Sequence, residues 1–277
     1  MAKSLRDALR VPPGQPVDLD ELDAGATPLA PGGKKKSARD MLADGTELAA
    51  LQEKLFAAAG SRVLLVLQGM DTSGKGGVIE HVIGMVNPQG VHIASFKKPS
   101  AEELRHHFLW RVRRALPPAG DIGIFDRSHY EDVLVARVHE LAPPPVLEKR
   151  YGEIARFEDG LVQQGYVLVK CFLNVSYDEQ RERLLARLDD PTKHWKFNPG
   201  DLAERARWAD YQEAYRIALE RCSTDAAPWY AVPADRKWYR NWAVGRLLLE
   251  TVRDLDPQYP QPALDIKALK KALAPPN

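Results

Sequence analysis

Gly69-Met70-Asp71-Thr72-Ser73-Gly74-Lys75-Gly76-Gly77 decides how this chain is read. It follows Val63-Leu64-Leu65-Val66-Leu67, a short continuous apolar run of the kind a buried parallel strand requires. It leads into Val78, Ile79, Val82, Ile83 and Val86 at helical spacing. Glycines in such a turn let backbone N–H groups face a phosphate, the helix N-terminus adds partial positive charge, and Lys75 supplies a point charge. Gly69-x4-Gly74-Lys75 has P-loop spacing in the strand–loop–helix context that confirms it. Gly69, Met70, Thr72, Ser73, Gly74, Gly76 and Gly77 are therefore expected to cradle phosphate, with Lys75 acting on the transferred group. One position departs from the pattern: the Ser or Thr whose hydroxyl normally touches Mg²⁺ is Gly76. Asp71 is expected to supply the missing metal ligand, against the alternative of a turn residue bonding its own backbone.

Outward from this loop, apolar runs at 91–96, 122–125, 166–175 and 229–232 read as further strands. Helical patterns cover 101–115, the sequence from about Glu131, and 235–255. Strands alternating with helices predict one α/β domain, a parallel sheet covered on both faces. Residues 1–47 carry Pro12-Pro13-Gly14, Pro16, Pro28 and Pro31-Gly32-Gly33, which read as an extended arm without a long helix. The domain spans 48–260, and 261–277 is a peripheral tail.

Composition narrows the class. With 44% hydrophobic and 28% charged residues the chain is an ordinary globular one. Thirty-nine Lys+Arg against 38 Asp+Glu argue against nucleic-acid binding by bulk charge. Cys171 and Cys222 are too few for a disulfide scaffold. The start Met1-Ala2-Lys3-Ser4-Leu5-Arg6-Asp7 lacks a leader's apolar stretch, and the run 63–67 is far short of the roughly 20 residues a membrane helix needs. No membrane association and a cytoplasmic location are expected.

Ile122-Gly123-Ile124-Phe125-Asp126-Arg127-Ser128 is an apolar strand ending in Asp, the Walker B arrangement, so Asp126 is expected to join Asp71 at Mg²⁺. Arg127 either contacts a phosphate or pairs with Asp126. Glu131 and Asp132 read equally well as site acids or as helix N-terminal charge. On a helix from Asp178 to Leu188, Arg183 and Arg187 share a face beside Arg181, and Lys193 follows in a polar loop. In this architecture a lid, about 178–205, closes there, and its arginines would neutralise the transferred group; the alternative is a solvated helix. Lys97, Lys98 and Arg111 belong to a second basic cluster that binds a polyanion or an acceptor nucleotide if it faces a cleft, and only solubilises if it faces water. His106 and His107 read as surface histidines, and Trp208, Trp229, Trp238 and Trp242 as core in preference to nucleobase platforms.

Taken together, Gly69 to Gly77, Phe125-Asp126-Arg127-Ser128-His129-Tyr130-Glu131-Asp132-Val133-Leu134-Val135, Asp190-Pro191-Thr192-Lys193-His194-Trp195-Lys196-Phe197 and Ala227-Pro228-Trp229-Tyr230-Ala231-Val232-Pro233-Ala234-Asp235 resemble the second polyphosphate kinase family, the polyphosphate:nucleotide phosphotransferases. The likeness runs from about Leu48 to Pro260. It implies a P-loop kinase core with a helical lid, Mg²⁺ dependence, and reversible transfer between inorganic polyphosphate and nucleoside mono- or diphosphates. It also implies oligomers, commonly tetramers. The lid segment looks most like members accepting both AMP and ADP; guanine nucleotides stay open. The expected phosphate- and nucleotide-binding side chains also include Lys97, Lys98, Arg111, Ser128, Glu131, Arg181 and Lys193. Two other functions use the same cradle: an ATP-dependent nucleotide kinase, and a nucleotide-binding regulatory module without catalysis.

Overall fold

The computed structural model describes residues 4–273; Met1 to Lys3 and residues 274–277, which belong to the expected arm and tail, lie outside the described residues. Five strands, β1 (Arg62–Gln68), β2 (Val91–Ser95), β3 (Ile122–Asp126), β4 (Tyr166–Asn174) and β5 (Trp229–Pro233), form one sheet in the order β2-β3-β1-β4-β5, every pair parallel. In chain order the α-helices are α1 (Leu5–Leu9), α2 (Lys34–Ala58), α3 (Lys75–Ile83), α4 (Trp110–Arg114), α5 (Val135–Val138) and α6 (Pro144–Gln163). They continue as α7 (Tyr177–Leu188), α8 (Gly200–Ala206), α9 (Trp208–Cys222), α10 (Lys237–Asp254) and α11 (Ile266–Ala272).

Alternation along β1 divides the core. Val63, Leu65 and Leu67 enter a large cluster with Leu48 and Leu55 of α2, Val78 and Val82 of α3 and Leu247 and Leu248 of α10. Leu64 and Val66 point the other way, to Phe96, Val112, Phe125, Phe157 and Leu161. Each such side chain contributes about 1.5–3 kcal/mol on burial. This covers both faces of the central strand and fixes where its C-terminal end, and hence the loop 69–74, must stand.

Three expectations change. The arm is not extended throughout: α2 begins at Lys34, directly after Pro31-Gly32-Gly33, because residues 34–58 hold no proline and a single glycine. Its Ser37, Gly45, Leu48, Gln52 and Leu55 recur on one buried face against the body. The Pro/Gly-rich stretch before it wraps the domain, tied by Val11 N to Trp229 O (2.8 Å), Asn174 Nδ2 to Leu22 O (2.8 Å) and Tyr239 OH to Pro28 O (3.0 Å). The helix expected at 101–115 shrinks to a single turn, Glu103–Arg105, and α4. The first half has no buried face, since its Leu104 is exposed, and His106 is extended where its ring stacks on Trp110. The helical sequence from Glu131 resolves into a 3₁₀ turn, His129–Asp132, then α5, with α6 opened by Pro144. Cys171 and Cys222 are buried free thiols, and among the described residues no helix is long and apolar enough to cross a membrane.

Candidate active site

The loop between β1 and α3 bends through three positive-φ residues, Gly69 (154°), Thr72 (66°) and Gly74 (101°). Thr72 is the strained one, a β-branched residue held in the left-handed region. Lys75 is the first residue of α3, buried, and its Nζ donates to Gly69 O (2.7 Å) and Met70 O (3.4 Å) across the loop mouth. Burial lowers the Lys75 pKa, while Asp71 pulls it the other way.

Parallel pairing of β1 with β3 places Asp126 beside Leu67, at the same sheet edge as the loop. Its Oδ1 is buried and has no hydrogen-bond partner. Arg127 follows with φ 63° and reaches Asp71 Oδ1 (3.2 Å) and Glu131 Oε2 (3.7 Å). The alternative left open by the sequence is thus resolved against an Arg127–Asp126 pair, because the left-handed turn swings the side chain over the phosphate loop. Glu131, in the first turn of the 3₁₀ segment, turns its carboxylate inward to the loop and not to water: burial raises its pKa, opposed by Arg127 and Lys75. Gln68 at the end of β1 donates to Ser128 Oγ (3.3 Å) and Glu131 Oε1 (3.1 Å).

Beneath this turn lies a buried charged network. Glu158 of α6 accepts from Lys170 Nζ (2.5 Å), Tyr130 OH (2.9 Å) and His129 Nε2 (3.1 Å), and Lys170 also donates to Cys222 O (2.7 Å). Burial works against the Glu158 charge, but Lys170 and His129 more than offset it and hold the carboxyl below its ordinary range. The two residues after Ser128 are thereby pinned into the core, which fixes Arg127 and Glu131 on either side.

Several basic residues sit elsewhere than expected. Arg183 is not an arginine awaiting the transferred group: NH1 donates to Thr72 O (2.8 Å), NH2 to Ala234 O (2.6 Å) and Asp235 O (2.9 Å), and Nε to Glu179 (2.8 Å). It braces the loop against the end of β5, its donors consumed by carbonyls. Arg111 is likewise buried and committed, to Lys97 O (2.8 Å) and Asp132 (3.3 Å), so it is no free cation in a cleft. Lys97 and Lys98 are exposed near it. Arg187 bonds Lys196 O (3.0 Å) and Asp201 (3.3 Å) inside the segment expected to be a lid, where no residue between 189 and 206 is buried. Arg181 pairs with Glu182 and Lys193 with Asp190, both at the surface.

Two cavities flank the phosphate loop. A groove of about 1190 Å³ runs between α2, α3, α10 and the 187–196 segment; its lining carries seven Lys or Arg side chains, among them Lys193, Lys237 and the buried Arg240, against Glu80, Glu179 and Glu182. A smaller one, about 270 Å³, holds Asp71, Arg127, Glu131, Asp201 and Tyr211. The sequence reading missed Gln68, Lys237 and Arg240; the one signal for Arg240 was an arginine within a helix otherwise rich in core residues.

Among the described residues no group of three or more His, Cys, Asp or Glu is arranged to hold a metal. Asp71 and the unpartnered Asp126 oxygen nonetheless suit a hard cation that takes its remaining ligands from phosphate and water.

A five-stranded parallel sheet with a glycine-rich phosphate loop at its central strand, a Walker-type Asp on the neighbouring strand and a basic groove beside the loop defines a P-loop phosphotransferase. Residues 33–260 match the family described as Polyphosphate kinase 2. The chain is 47% identical over 253 residues to an AMP/ADP-polyphosphate phosphotransferase of Meiothermus ruber, covering 91% of this chain and 95% of that one. It is 43% identical over 269 residues to an ADP-polyphosphate phosphotransferase of Rhodopseudomonas palustris, 91% of each chain. The crystal structure of Polyphosphate Kinase 2 from Arthrobacter aurescens TC1 superposes with a TM-score of 0.95 at 48% identity, over 98% of this chain and 97% of that one. The chain belongs to the polyphosphate kinase 2 family.

Proposed function

We propose that this chain transfers phosphoryl groups from inorganic polyphosphate to AMP and ADP, reversibly and with Mg²⁺. The observation that carries the reading is the pair of unlike cavities meeting at one phosphate loop: a long basic groove able to take a polyanionic chain, and a small acidic-and-arginine cavity beside it. The donor's terminal phosphate would rest on the loop amides and Lys75, and the acceptor phosphate near Arg127.

An oxygen of the acceptor phosphate attacks the terminal phosphorus of the chain. The bridging P–O bond breaks, and its electron pair leaves on a polyphosphate shortened by one unit. The acceptor's second pKa is near 6, so it is largely anionic at neutral pH and no general base is required. Catalysis then rests on bringing two polyanions together in line and offsetting their repulsion. Mg²⁺ held by Asp71 and Asp126 would neutralise phosphate charge. Arg127, fixed by the turn beneath it, would release part of its pairing with Asp71 and Glu131 to orient the acceptor. The exposed 189–206 segment would close over the groove, carrying Arg187 and Lys193 towards the chain.

From the same family resemblance we propose a homotetramer acting in the cytoplasm. The deciding assay mixes the protein with Mg²⁺, long-chain polyphosphate and ADP or AMP, with no other nucleotide. ATP formed from ADP supports the reading; intact polyphosphate beside unchanged nucleotides, with the protein folded, overturns it.

A further inference from the structure

Five cationic side chains are buried in the described residues: Lys75, Arg111, Lys170, Arg183 and Arg240. Three have a carboxylate in ion-pair contact, Arg111 with Asp132, Lys170 with Glu158 and Arg183 with Glu179. Lys75 and Arg240 have none, and both lie against the phosphate loop. Burying a cation without an anion is costly, and partners are the rule. Two exceptions at one loop therefore point to an anion that arrives from outside.

Arg240 is 3% exposed and reaches the loop from α10, NH1 donating to Ser73 O (3.0 Å), Nε and NH2 to Asn241 Oδ1 (3.1 and 2.8 Å). Its guanidinium has five N–H donors, so these contacts leave capacity on the side lining the groove. Burial lowers its pKa to about 10, and the neighbouring Arg183 adds to the effect. The loop is shaped around it. A Cβ at Gly74 would stand 1.7 Å from Arg240 NH1 and one at Gly77 3.0 Å from NH2, whereas one at Gly76 would meet nothing within 4 Å. The open space lies at the position where P-loops carry the metal-binding hydroxyl.

We propose that Arg240 is a donor-binding residue, its guanidinium contacting the polyphosphate held on the loop and supplying there positive charge that does not depend on the metal. The inference rests on the function proposed above. Unlike Lys75, a point charge, a planar fork can take two phosphate oxygens at once, which suits a chain presenting oxygens along its length.

The test compares wild type with Arg240→Gln and Arg240→Lys. Each is assayed for turnover and titrated calorimetrically with long-chain polyphosphate in EDTA without nucleotide. The expected result is metal-free polyphosphate binding by wild type and its loss in Arg240→Gln. In turnover, KM for polyphosphate should rise tenfold or more, with KM for ADP within twofold of wild type. Arg240→Lys should recover part of the binding. If Arg240 serves only to hold Ser73, both KM values move together or kcat alone falls, and binding in EDTA persists; that overturns the proposal. Should Arg240→Gln fail to fold, Arg240→Lys decides alone, since wild-type polyphosphate KM in a charge-retaining, fork-less variant also overturns it. Wild type that makes no ATP from ADP and polyphosphate sinks the function instead, a separate outcome.

Discussion

Replacing Glu158 by Gln keeps shape and removes one charge from the network beneath the active-site turn. Lys170 then remains fully buried with only Tyr130 OH and Cys222 O as strong partners. Breaking a buried ion pair in this way costs about 3–5 kcal/mol, because a charge is stranded in low dielectric. Against a typical total of about 5–15 kcal/mol this is a large share. For a chain of this size it corresponds to a melting temperature lower by about 6–20 °C. Lys170→Met should cost a similar amount by stranding Glu158. The double variant removes both charges, so it should be more stable than the summed singles by at least about 2 kcal/mol, the coupling expected of residues in contact. Urea denaturation at fixed protein concentration gives all three values. His129 and Tyr130 hang from Glu158 and directly follow Arg127-Ser128, so kcat of the singles should also fall at temperatures where they are folded. Glu158→Gln within 1 kcal/mol of wild type, or purely additive effects, would refute the view that this buried pair holds the turn.

Lys75→Ala and Asp126→Asn should each lower kcat at least about a hundredfold, the scale of losing one electrostatic stabiliser; near-normal rates in folded protein would remove them from the mechanism. EDTA should abolish turnover and added Mg²⁺ restore it, measured as ATP formed from ADP and polyphosphate. Gly74→Ala combines a φ of 101° with displacement of Arg240, so folded variant should lose most polyphosphate turnover; wild-type kinetics would show the loop tolerates a side chain there. Asp44 has its pKa raised from 3.8 to about 6 by burial, Arg246 opposing. Between those values the folded protein binds a proton the unfolded chain does not, so stability falls as pH rises from about 4 to 6. Asp44→Asn, discounted for solvent screening, should gain about 1–2 kcal/mol at pH 7.5 and nothing at pH 4, read as melting temperature against pH.

What could be read directly were elements whose signal is local. Gly69 to Gly77 between an apolar run and a helical pattern, and Asp126 at a strand end, are set by backbone geometry and side-chain period over a few residues. Parallel strands buried on both faces leave continuous apolar runs, so the α/β sheet was legible and the likeness to one family with it. Less legible was α2, where prolines ending at Pro31 masked a helix starting three residues later, and the first half of 101–115, where charged residues imitate a helix that has no face to bury.

The sequence by itself determined the phosphate loop, the acid opposite it and the sheet that carries them, because each depends on neighbours along the chain. Only the tertiary structure decided that Arg183 braces the loop, that Arg127 joins Asp71 to Glu131, and that Arg240 comes in from α10 without a carboxylate. A charged side chain acquires its role from the partners that reach it, and those partners are brought together by packing across the fold, with no signature in the spacing of residues.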